Sequence, residues 1–190
     1  NLVLHKNHSN RGLDCLVTHA DVIEAVLHYV VKTQPGRIVI GDAPVQGCDF
    51  EALVASTGLG QLVQQFRNSG LEISLRDYRC VILPGGSIQN QRRAGNRGPD
   101  EYVLFDLGCH SLLEPITQPE TPFRVTMYDP RALQRTHGPG RHQYLVAREV
   151  IEADVVINLA KLKTHKKSGL TGALKNMVGM NGHKEYLPHH

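Results

Sequence analysis

The sequence predicts an α/β protein built on an open, mainly parallel, Rossmann-like sheet with helices on both faces. Three observations point there. A strand-like Leu2-Val-Leu-His5 is followed by a helical stripe, Val22, Ile23, Val26, Leu27 and Val30, and then by the compact apolar run Arg37-Ile-Val-Ile-Gly41. Strand, helix and strand at this spacing make a βαβ unit, which favours a parallel sheet. Further short apolar runs alternate with helical patterns down the chain, separated by turn residues such as Gln34-Pro35-Gly36.

Taken in order, Asn7 to Asp14 is polar and reads as a loop. Thr18 reads as a helix N-cap, with Asp21 three residues on as a weak capping box. Phe50 to Phe66 predicts one or two helices broken near Gly58-Leu-Gly60, with Leu59, Leu62, Val63 and Phe66 as the second apolar stripe. Leu71 to Leu83 contains one or two strands. Pro84 to Pro99, rich in Gly, Asn, Gln and Arg, reads as a long exposed loop that could act as a lid. Glu101 to Leu107 is a strand, Thr117 to Pro122 a turn and Phe123 to Tyr128 a further strand. His137-Gly-Pro-Gly-Arg-His142 is expected as a second flexible loop and Tyr144 to Glu152 as a short helix. Asp154-Val-Val-Ile-Asn-Leu159 is the last clear strand, and Thr171 to Val178 the last helix. No internal repeat or low-complexity tract is visible.

The chain has 190 residues, 41% hydrophobic and 21% charged, which suits one α/β domain over 1–190. No run approaches the roughly 18 apolar residues needed to span a bilayer, and the start lacks the basic-then-apolar pattern of a signal peptide. A cytoplasmic protein without membrane attachment is the expectation. The opening Asn1-Leu-Val, without an initiator Met, and the end at Leu187-Pro-His-His suggest a piece of a longer chain; His189-His190 reads equally as native sequence or tag remnant. Cys15, Cys48, Cys80 and Cys109 lie 29 to 33 residues apart with no CxxC pair. Metal and cluster signatures need close pairs, because a short loop wraps the ion. No iron–sulfur cluster is therefore expected within this segment, and the cysteines read as thiols in a reducing compartment.

The net charge of +3 hides an asymmetry. Residues 161–190 carry six lysines and one acid, whereas residues 1–160 hold 15 basic and 17 acidic residues. A local positive cluster points to a small anionic ligand more than to nucleic acid. With 5% aromatics and no Trp, the stacking platforms of single-strand binders are missing too.

Ligands of open α/β sheets sit beyond the carboxyl ends of the strands, and two candidates lie there. One is Asp42 in Gly41-Asp42-Ala43-Pro44. It could bind a metal, act as a base or hold a hydroxyl, or it could simply cap the following turn. The other is the segment Asn158 to Gly179. On an extended backbone Lys161, Lys163 and His165 point the same way. Three basic groups on one face repel one another unless an anion or carboxylate lies among them, and crowding lowers their proton affinity. Ser168-Gly169 would turn the chain and Thr171 cap a helix whose first amides, beyond Gly172, offer an anion site. Lys175 and Asn176 fall in the first turns of that helix. The plain alternative is a solvated basic loop. Neither a Walker A loop nor a GxGxxG fingerprint is present. His19, His110, His165 and His183 fall near turns and could join Asp42 on a metal, although no HxxxH or HExxH spacing supports one. His28 reads as a surface or packing residue. Ser87 is a weak nucleophile candidate, and Arg92, Arg93 and Arg97 could close over an anion.

The segment Asn158-Leu-Ala-Lys-Leu-Lys-Thr-His165, continued by Thr171-Gly-Ala-Leu-Lys-Asn-Met-Val-Gly179, resembles the signature of domain-of-unknown-function family 362. Thr18-His-Ala-Asp-Val-Ile-Glu-Ala-Val26 resembles that family's Thr-His-Pro-x-Val-Val helix start, with Ala20 where Pro is common. Ile38-Val-Ile-Gly-Asp-Ala-Pro44 resembles its Gly-Asp-Ser-Pro strand end, with Ala43 for Ser, and Asn1-Leu-Val resembles the end of its Lys-Pro-Asn motif. The resemblance implies that Asp42, Asn158, Lys161, Lys163, His165, Lys175 and Asn176 occupy motif positions. Some members carry a ferredoxin-like iron–sulfur module, which implies redox work; this chain lacks the cysteines, so that activity does not carry over.

Two functional expectations follow. The first is an enzyme domain acting on a small phosphate- or carboxylate-bearing metabolite, with Lys161, Lys163 and Lys175 holding the anion, His165 transferring a proton and Asp42 orienting a hydroxyl or metal. The second is a non-catalytic module that docks an iron–sulfur protein or another acidic partner through its basic end. Nucleic-acid binding is a weaker third.

Overall fold

The computed structural model describes residues 1–9, 12–86, 92–93, 97–120, 122–123 and 130–188. Helix α1 spans Ala20–Val30 and leads to strand β1, Ile38–Asp42. Helices α2, Phe50–Ser56, and α3, Leu59–Asn68, connect β1 to β2, Ile73–Asp77. Short strands β3, Val81–Ile82, and β4, Arg92–Arg93, form a hairpin. Then come β5, Tyr102–Asp106, α4, Pro130–Thr136, β6, His137–Gly138, β7, Arg141–Ala147, and α5, Arg148–Glu152. The chain closes with β8, Lys163–His165, β9, Gly169–Thr171, and α6, Ala173–Asn176.

The expected open, mainly parallel sheet is not found among the described residues. The strands form four small sheets, of which only β1–β2 is parallel; β3–β4, β5–β7–β6 and β8–β9 are antiparallel. The βαβ reading failed at its first strand. Residues 1–4 join no ladder; Leu2 instead donates its N–H to the Asp42 side chain, and Val3 accepts from the Val45 N–H. The apolar run 154–159 is extended but also unpaired. The expected helix over 144–152 divides into β7 and α5, because Tyr102 to Asp106 offers residues 143–147 a five-residue antiparallel partner.

The β1–β2 unit is the best-built part. Ile38 to Asp42 pair in register with Ile73 to Asp77, and the crossover helices bury Leu53, Leu59, Leu62 and Val63 against Ile23 and Leu27 of α1. The break between α2 and α3 falls at Gly58, whose φ of 73° is costly for any residue with a Cβ. The cap of α1 is His19, whose Nδ1 accepts from the Asp21 N–H. Thr18, expected in that role, is buried and donates its hydroxyl to the Leu159 carbonyl.

Two loop expectations are also corrected. His137 to His142 is a tight hairpin with both histidines buried, His137 Nδ1 lying 3.3 Å from His142 Nδ1 and His142 Nε2 2.9 Å from Glu114 Oε2. Arg97 does not stand ready for a ligand. It makes a two-pronged contact with Glu149 at 2.7 and 2.8 Å and stacks on the Tyr102 ring. The Ser87 candidate, the side chains of Arg92 and Arg93, most of the Phe123 to Tyr128 strand and His189-His190 lie outside the described residues. No helix among the described residues is long and apolar enough to cross a membrane.

Arg79, only 1% exposed, fastens the end of β2 to the loop after β1. It grips Asp77 and donates to the carbonyls of Val45, Gln46 and Cys48. Replacement by Met keeps the bulk but strands three carbonyls and a carboxylate. Arg79→Met is expected to destabilise the protein by about 3 kcal/mol in urea denaturation; a loss below half of that would mean that water satisfies the loop instead.

Candidate functional site

The carboxyl ends of β1 and β2 carry a buried carboxylate. Asp42 is 5% exposed, and its Oδ2 accepts the Leu2 N–H at 2.6 Å. Its Oδ1 lies against Gly179, where a Cβ would come within 1.9 Å, so position 179 has no room for a side chain. The Ala43 N–H donates to the Gly179 carbonyl at 2.7 Å. Burial pushes the Asp42 carboxyl above the ordinary carboxylate range, opposed by the Leu2 N–H and by the charge of Lys184 among others.

From Asp42 a polar chain runs to the segment 158–176. Lys163 donates to the Asn1 side-chain oxygen and to the Leu16 carbonyl. The Asn1 amide donates to Asn176 Oδ1 at 2.7 Å, and the Asn176 amide to Asn158 Oδ1 at 2.6 Å. Asn158 in turn donates to the Ala173 carbonyl. The structure thus brings Asn158, Lys163 and Asn176 together through Asn1, a residue that no motif reading had placed in the site. Burial lowers the proton affinity of Lys163, partly offset by the Asp42 charge.

His165 and Lys175 form a second grouping nearer solvent, with His165 Nε2 2.9 Å from Lys175 Nζ. On the other side of the ring, Nδ1 faces the N–H groups of Lys167 and Ser168 at 3.2 and 3.3 Å. The burial alternation along Lys161, Leu162, Lys163, Thr164 and His165 matches an extended backbone with its three basic groups on one face, as expected. The helix reading differs. Thr171 belongs to β9, and its hydroxyl faces the Lys163 carbonyl rather than capping a helix. Gly172 precedes an α6 of only four residues, with no side-chain cap. The Gly169-to-Thr171 stretch pairs back onto Lys163 to His165, which uses up the turn that the longer helix needed.

Lys184 was not evident in the sequence, because nothing in a lone lysine after Gly-His marks it. Its ammonium donates to the Ala43 carbonyl at 2.7 Å. Burial draws its proton affinity down to about 8, against a raising influence from Asp42. Gln46 is buried near the same strand ends with no hydrogen-bond partner for either side-chain polar atom. Among the described residues no three His, Cys, Asp or Glu side chains come together as a metal site. His19 caps α1, and His110 closes a short turn, Gly108–His110.

One family model, described as Domain of unknown function (DUF362), matches residues 107–190. The match covers the segment 158–179 and Lys184; the stretches around Thr18 and Asp42 precede it. No curated protein and no solved structure matches the chain.

His183, beside Lys184, gives a pH test. Its Nδ1 accepts the Glu185 N–H, and burial holds the ring down to about 4, below its ordinary 6.5. The folded ring stays neutral where the unfolded one takes up a proton. Its contribution is whole above pH 6.5 and is lost as pH falls towards 4, amounting to about 3 kcal/mol. In urea denaturation at pH 7 and pH 4.5, His183→Gln is expected to lose clearly less stability than the parent; equal losses would refute a neutral buried His183.

Proposed function

For a chain whose residues 107–190 belong to the domain of unknown function family DUF362, we propose that the β8–β9 hairpin and α6 form a binding site for a small anion bearing phosphate or carboxylate. The facing of His165 and Lys175 carries this reading. Two backbone N–H groups point at His165 Nδ1, so the ring proton of a neutral imidazole sits on Nε2. A lysine ammonium likewise has only protons to offer. Two donors 2.9 Å apart converge on one point, and an anionic oxygen accepting from both resolves the contact. Lys161 lies on the same face and makes no hydrogen bond to a described residue. Lys163 has two of its three protons committed to Asn1 and Leu16, which leaves one for a ligand. Thr171 and Gly172 form the neighbouring rim. His165 is disposed to donate its Nε2–H as a hydrogen bond to a bound anion. Asp42, buried and engaged, serves by holding the strand ends and balancing the charges of Lys163 and Lys184.

The probes are inorganic phosphate and acetate, titrated into the whole chain and followed by amide NMR shifts. Shifts at 163–176 are expected, and His165→Ala/Lys175→Ala is expected to weaken binding at least tenfold, about 1.4 kcal/mol, without lowering Tm. Absence of any shift at millimolar probe, or an unchanged affinity in the variant, would exclude the site.

A second reading has its own observation. The other face of the hairpin carries Leu162 and Leu170, 67% and 58% exposed, and Leu174 of α6 is 91% exposed. Exposed apolar side chains on a segment that also carries Lys161, Lys166, Lys167 and Lys175 suit an acidic protein partner, an iron–sulfur protein being one such class. Capture of a ferredoxin that falls steeply with salt and is lost in Leu170→Ser/Leu174→Ser, with no response to phosphate, is the outcome expected of this reading.

A further inference from the structure

Strand β1 pairs with β2 along one edge, while its other edge borders a groove of about 770 Å³. The far bank of the groove is the extended run 154–159. No backbone hydrogen bond joins residues 155–158 to any described residue. Val155, Val156 and Ile157 are 75%, 50% and 51% exposed, although Val-Val-Ile is strand-forming sequence. In a parallel pair, alternate residues turn their N–H and C=O groups towards one neighbour and the rest towards the other side. Both banks therefore present unfilled rows of backbone donors and acceptors. The groove is apolar above and below, with Ile23, Leu27 and Val30 on one side and Val150, Met177 and Met180 on the other.

One end of the groove is already bridged. The Asn1 nitrogen donates to the Leu159 carbonyl at 2.8 Å, and the Leu2 N–H donates to Asp42. Leu159 and Asp42 are the C-terminal ends of the two banks, so backbone leading into Asn1 would run in the same direction as both.

We propose that the groove is a slot for one extended strand of about five residues, apolar on both faces, parallel to β1 and to 154–159, with Asn1 as its last residue. Two open backbone edges specify a strand rather than a helix or a compact ligand, and apolar walls on both sides specify side chains without charge. A strand seated there also fixes Asn1, whose side chain holds Lys163 and Asn176.

The test extends the chain ahead of Asn1 by about five residues, either Val/Ile or Gly/Ser, and follows amide exchange. The Val/Ile extension is expected to slow exchange at Val155 to Asn158 at least about a hundredfold and to raise Tm, with no effect of the Gly/Ser extension. Val156→Pro in the Val/Ile chain is expected to lose most of that protection, because the ladder loses a donor. Equal exchange in the two extended chains overturns the proposal. So does protection that a free Val/Ile peptide gives but the joined extension does not, or protection that survives Val156→Pro. Phosphate titration of the same chains reads the hairpin separately, so either idea can fail alone.

Discussion

The buried carboxylate of Asp42 is the constraint on which the arrangement turns. A carboxylate taken out of water must be supplied with donors and neighbouring positive charge, or it gives up its charge. Here the Leu2 N–H and the Ala43 N–H serve as donors and Gly179 leaves the room, while Lys163 and Lys184 supply positive charge nearby. Three stretches far apart in sequence are held at one point because each answers a different demand of the same side chain. Neither lysine can be understood without it, since burial alone works against both their charges.

Much of the first half was legible because its signals are local. The stripe Leu59, Leu62, Val63 repeats at helical spacing and is buried as a unit, and Ile38-Val-Ile is apolar on both sides because a crossover and a helix cover it. The second half misled. Asp154-Val-Val-Ile reads as a strand by composition, yet strand propensity requires a partner edge, and none is engaged among the described residues. Tyr144 to Ala147 fits a helix as well as a strand; the opposing Tyr102 to Phe105 decides between them.

The candidate site was legible by type and illegible by wiring. Alternation placed Lys161, Lys163 and His165 on one face correctly. What it could not show is that the basic groups divide into two sets. Lys163 is drawn inward to carbonyl and carboxamide oxygens, whereas His165 and Lys175 face each other at the surface. The inward set is bound by Asn1, and a contact spanning nearly the whole sequence has no periodic trace. Lys184 is hidden for the same reason, its environment being made by the Ala43 carbonyl and not by its neighbours in sequence.

The contacts of Asn1 bear on the order in which this protein is made. It touches Leu159, Lys163 and Asn176, at separations of 158, 162 and 175 residues. A ribosome delivers Asn1 long before its partners exist, so this stretch waits, unengaged, until residues 159 to 176 have emerged. Loops of that length close late, after local structure such as α2, α3 and the β1–β2 pair has formed. The basic hairpin and its asparagine relay are therefore assembled last, and a nascent chain that has folded its core still lacks its site.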